Sequence, residues 1–107
     1  MECVVCLVTV GKPEEAEKIA EAVVGERLAA CCNLVPAVRS IYRWQGKLET
    51  AEEAPAILKT HNWQADELIE RIAALHSYET PCIVVWPVEK LLRRYADWVE
   101  DSVLGER

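Results

Sequence analysis

The chain has 107 residues, 51% hydrophobic and 28% charged, a balance that builds a core and excludes disorder; the length fits a single domain over 1–107. A net charge of −6 and a pI near 4.9 exclude nucleic acid as a default partner, because phosphate binding relies on clustered Lys and Arg. No apolar run reaches the ~18–20 residues of a membrane helix, and Met1-Glu2-Cys3 lacks a basic segment before an apolar core, so no membrane partner and a cytoplasmic location are expected.

Cys3 to Val10 is apolar at almost every position, which predicts a central strand covered on both faces. From Pro13 the period changes. Ala16, Ile19, Ala20, Val23 and Val24 fall at helical spacing, and Glu14, Glu15, Glu17, Lys18 and Glu21 fill the other face. Acidic residues in the first turn suit the helix dipole, and Gly25 is the expected release point at the far end.

Leu28 to Trp44 and Lys47 to Thr60 read as two strands joined by a two-residue turn at Gln45-Gly46. At ~3.3 Å per residue such arms reach roughly 45 Å, more than a compact domain of this length can cover. The excess is expected to pack on another copy of the chain. The turn sets Arg39 opposite Glu52 and Pro36 opposite Pro55. Neither proline donates a backbone hydrogen bond, so a bulge or kink is expected there, with an arm carrying Ile41, Tyr42 and Trp44 beyond it.

Asn62 is the expected N-cap of a second helix, with Ala65, Leu68, Ile69, Ile72 and Ala73 as its apolar stripe and its end near Leu75. His61 beside it is expected at the surface. A loop from His76 to Pro81 leads to an apolar strand, Cys82 to Trp86, closed by Pro87. The last helix runs without interruption through Glu89-Lys90-Leu91-Leu92 and turns Leu91, Leu92, Tyr95, Trp98, Val99 and Val103 to the core. Trp63, Trp86 and Trp98 are assigned to core or interface packing. The order is that of an α+β, ferredoxin-like βαββαβ sandwich with a long β-hairpin and a C-terminal helix, both main helices on one face.

Five cysteines, an odd number, point to reduced thiols rather than a disulfide framework. Cys3 and Cys6 face opposite sides of their strand and read as core thiols, and Cys31 and Cys32 likewise diverge. Either pair can still meet a thiol on a neighbouring strand or subunit, Cys82 being a candidate. His76 is either a ligand for a soft or borderline metal or a cap on the helix dipole. Lys59, among apolar residues, needs an acid or an anionic ligand, and Glu53 serves only if another subunit supplies the geometry. Tyr42 and Trp44 are read as interface anchors before ligand platforms. Ser40, Ser77 and Ser102 lack the glycine-flanked turn of a hydrolase serine, and the four glycines stand singly, so no enzyme is expected.

Four strings, Arg27-Leu28-Ala29-Ala30-Cys31, Ser40-Ile41-Tyr42-Arg43-Trp44-Gln45-Gly46-Lys47, Ile57-Leu58-Lys59-Thr60 and His76-Ser77-Tyr78, resemble the CutA family of divalent-cation tolerance proteins over nearly the whole chain. The resemblance implies a tight homotrimer whose hairpins join intersubunit sheets, with Arg39, Tyr42, Trp44 and Glu52 at the interface. It also implies binding of copper or another divalent cation between subunits, with Cys31 and His76 as candidate ligands. The alternative is a trimeric sensor that binds a small anionic metabolite through Lys59, His76 and Tyr78. The chain departs from the family pattern in reading Thr9-Val10-Gly11 for Thr-x-Pro, His76-Ser77-Tyr78 for His-Pro-Tyr, and in lacking a glycine before the last helix.

Overall fold

The computed structural model describes residues 2–104; the ends of the expected domain, Met1 and 105–107, lie outside them. In chain order the elements are β1 (Cys3–Val8), α1 (Pro13–Gly25), β2 (Cys31–Leu34), β3 (Val38–Trp44), β4 (Lys47–Glu53), β5 (Ala56–His61), α2 (Ala65–Leu75), β6 (Ile83–Pro87) and α3 (Arg93–Leu104). One antiparallel sheet has the order β2-β5-β1-β6, and β3 and β4 form a separate two-stranded ribbon. This is the expected α+β, ferredoxin-like arrangement, with long dimensions of 49 × 26 × 23 Å.

The ribbon has the expected register, Arg39 against Glu52 and Trp44 against Lys47. Gln45 at φ 51° and Gly46 at φ 80° make the turn type I′, whose twist matches the strands it joins. At the two prolines the ladder breaks as expected. Residues 35–37 on one side face 54–55 on the other, and Val35 N–H donates to Pro55 O at 2.9 Å. The extra residue is a bulge that separates the ribbon from the sheet.

Alternation along the strands divides the core in two. On one face Cys6, Val8, Ala56 and Leu58 pack under Ile19 and Val23 of α1 and Leu68 and Ile72 of α2. Fully burying side chains of this size stabilises the fold by about 1.5–3 kcal/mol each. On the other face Cys3 and Ala30 meet Val99 and Val103 of α3. Coverage of β1 on both faces is therefore incomplete, contrary to expectation. Val5 and Leu7 are half-buried, and Val84 and Trp86 of the adjacent β6 stay 44% and 45% exposed, because α3 packs chiefly over β5 and β1.

Several local expectations need correction. Gly25 stays inside α1, and the left-handed residue that ends the helix is Arg27 at φ 64°, with Leu28 N–H on Val23 O and Arg27 N–H on Val24 O. Asn62 is not the cap of α2. A 3₁₀ turn, Asn62–Gln64, intervenes, and the buried His61 caps it by accepting from Trp63 N–H at 3.1 Å. The last helix begins at Arg93 rather than near Glu89, since Val88 N–H is still bonded to Cys3 O and Leu92 O receives the first helical bonds, from Tyr95 and Ala96. Leu92, Trp63 and Trp98 are exposed, so none joins the core of the chain.

Candidate functional site

His76 leaves α2 in an extended conformation, its N–H bonded to Ile72 O. Its buried ring is held at both nitrogens: Nε2–H donates to Thr9 O at 2.8 Å, and Nδ1 accepts from Tyr78 N–H at 3.1 Å. Those two bonds define the neutral tautomer. Glu15 of α1 holds the next residue, accepting from Ser77 N–H at 2.8 Å and Ser77 Oγ–H at 2.9 Å. With the loop fixed on both sides, the Tyr78 ring lies 4.7 Å from the imidazole, and its hydroxyl donates to Glu53 Oε2 on β4 at 2.9 Å.

Gly11 makes that reach possible. A Cβ there would stand 3.0 Å from the Tyr78 hydroxyl, so any side chain would crowd the phenol. Glu53 is only 7% exposed, and its carboxylate needs the donor it has. Burial first, then the bond to Glu53, push the Tyr78 phenol up to about 12, so it stays a neutral donor at ordinary pH.

Between the ribbon and this loop lies a cleft of about 470 Å³. Ser40, Tyr42, Trp44 and Glu53 line it from the ribbon; Tyr78, Glu79 and Cys82 line it from the loop, since β6 begins at Ile83 and not at Cys82 as expected. Tyr42 and Trp44, expected as interface anchors, thus lie on the cleft side. The more exposed apolar residues of the ribbon are Ile41 at 66% and Leu48 at 73%, which belong to the opposite face.

The other expected site residues lie elsewhere. Cys31 on edge strand β2 has its sulfur 3.4 Å from the Tyr95 hydroxyl, whose acidity burial and that sulfur both suppress. Cys31 and His76 have no partner in common. Lys59 hydrogen-bonds Asn33 Oδ1 on the sheet face away from α1 and α2, so neither Glu53 nor the cleft is its partner within the subunit. All five thiols are free, and burial above all raises those of Cys6 and Cys32 to about 11. Among the described residues no group of three or more His, Cys, Asp and Glu side chains is placed to hold a metal ion.

Sequence reasoning missed the Glu53–Tyr78 pair because its members are 25 residues apart. The usable signal was an acid directly before the apolar run Ala54-Pro55-Ala56-Ile57, where a carboxylate entering a core requires a donor.

Fold and cleft together define a ferredoxin-like domain with a ligand-sized acidic recess. A family model described as CutA1 divalent ion tolerance protein matches residues 4–102. The chain belongs to the CutA family of divalent-cation tolerance proteins. A CutA from Thermus thermophilus is 45% identical over 98 residues, covering 92% of this chain and 95% of the relative. One from Archaeoglobus fulgidus is 40% identical over 96 residues, covering 90% and 93%. The solved Thermus thermophilus structure superposes with a TM-score of 0.91 at 44% identity, over 94% of this chain and 98% of that one.

The cytoplasmic expectation is overturned. The solved Archaeoglobus fulgidus protein, with a TM-score of 0.91 at 37% identity over 94% and 98% of the two chains, is described as periplasmic. A rice relative, 35% identical over 92% of this chain and 56% of its own length, is described as chloroplastic. Relatives of this chain are thus described from more than one compartment. None of the described helices is long and apolar enough to cross a membrane.

Proposed function

We propose that the chain, folded as one domain, is a non-enzymatic homotrimer that serves divalent-cation tolerance by binding divalent cations, copper foremost, at sites completed between subunits. The observation that carries this reading is an unfinished surface. A ribbon projects from the sheet with the apolar Ile41 and Leu48 exposed, while the thiol-bearing edge strand β2 has a neighbour on one side only. A second subunit covering both adds donors to Cys31 that the isolated subunit lacks. Imidazole and thiolate together suit copper, and His76 joins such a set once Nε2 leaves Thr9 O.

The acidic cleft favours a cation over an anion, because Glu53 and Glu79 line it and Lys59 does not. Calorimetric titration with copper tests the reading. Binding is expected to weaken by tenfold or more in Cys31→Ser or His76→Ala, and to be lost in Leu48→Asp if that variant sediments as a folded monomer. Unchanged copper affinity in all three refutes it.

A further inference from the structure

The side chains around the cleft suit a second kind of cation. A bare divalent ion takes about four or more donor atoms at roughly 2.0–2.6 Å, and no three-residue ligand group exists among the described residues. The cleft instead presents three aromatic rings, Tyr42, Trp44 and Tyr78, beside two carboxylates, the exposed Glu79 and Glu53, which is 7% exposed. The phenol supplies Glu53 with a hydrogen bond but no countercharge, and no Lys or Arg lines the cleft among the described residues. A buried carboxylate beside aromatic rings suits an organic cation. Its charge pairs with the ammonium, and the ring quadrupoles attract the polarised methylenes beside it. At about 470 Å³ the space lies within the range of roughly 300–1,000 Å³ for small-molecule sites.

We infer that this cleft binds a small primary alkylammonium, its head at Glu53 and its alkyl chain along Tyr42, Trp44 and Tyr78. Ser40 and Thr80, also on the wall, offer hydroxyl acceptors for the remaining N–H groups. Every residue invoked comes from one subunit, so the inference goes beyond the metal reading and does not depend on it.

The test compares three probes of one shape on the intact protein by calorimetry at matched ionic strength: n-pentylammonium, n-pentanol and pentanoate. The ammonium is expected to saturate at or below about 10 mM and to bind at least tenfold more tightly than the alcohol, with no binding of the carboxylate. Glu53→Gln should lower ammonium affinity tenfold or more while leaving the alcohol unchanged. Trp44→Leu should weaken the ammonium more than the alcohol, and it decides the matter if Glu53→Gln does not fold. Equal binding of alcohol and ammonium, absence of ammonium binding at that concentration, or indifference to both substitutions overturns the inference. Copper titration of the same samples reads the metal proposal separately, since Cys31→Ser should spare the ammonium.

Discussion

Tyr78→Phe removes one oxygen and leaves the packing of the ring against His76 in place. What it takes away is the donor to Glu53 at 2.9 Å. A hydrogen bond to a charged group contributes about 1.5–3 kcal/mol, and Tyr78 is 37% exposed, so water offsets part of the loss and the lower end, about 1.5 kcal/mol, is expected. The control is the same substitution in a Glu53→Leu background. With no carboxylate left to satisfy, removing the phenol oxygen there should cost under about 0.5 kcal/mol. Urea unfolding at pH 7 and one fixed protein concentration measures both, the concentration being held because the proposed assembly would contribute by mass action. Equal costs in the two backgrounds would show that Tyr78 acts through packing and that the bond to Glu53 contributes nothing.

Leu48→Asp is expected to convert the assembly to subunits at micromolar concentration, since each copy loses about 1.5–3 kcal/mol of apolar burial and gains a charge to desolvate; a wholly trimeric sedimentation profile would count against the outer ribbon face as an interface. Thr60 is fully buried and donates to Leu28 O at 2.7 Å, so Thr60→Val strands that carbonyl and should cost about 1–3 kcal/mol in urea unfolding. The Cys6 thiol, raised from 9.0 to about 11, favours the folded state fully below pH 9 and loses that contribution as pH rises through 11. The loss is roughly 2–3 kcal/mol. Unfolding midpoints should therefore fall between pH 9 and 11, less steeply in Cys6→Ala, and parallel slopes would sink the assignment.

The ribbon was legible because its rules are local. Gln45-Gly46 fixes the turn, the turn fixes Arg39 against Glu52, and two prolines at one level force the bulge. Both main helices were legible from period alone. Their ends were not. Arg27 takes the left-handed position although Gly25 stands two residues before it, because Leu28 must turn back into the core and bond Val23 O. His61 was misplaced for a similar reason, since its ring is wanted inside as the cap of a 3₁₀ turn, a demand made by Trp63 N–H rather than by hydropathy. The cleft was the least legible part. Of the residues singled out as ligand-binding, Tyr78 lines the cleft and Lys59 and His76 do not, and the partners of Tyr78 and His76, Glu53 and Thr9 O, are set by how α2 and β4 pack and leave no spacing in the sequence.

The unpaired residue beside Pro36 has an effect on the recess some distance away. In the sheet, even-numbered positions of β2 pair with even-numbered positions of β5, as Cys32 does with Leu58. Past the bulge even pairs with odd, as Val38 does with Glu53 and Tyr42 with Glu49. Had the first register simply continued, Glu53 would have shared a side with Ile41 and Arg43, and Glu52 would have taken its place on the side of Tyr42 and Trp44. A single added amino acid thus decides, by a change of parity, which of two neighbouring acids faces the recess.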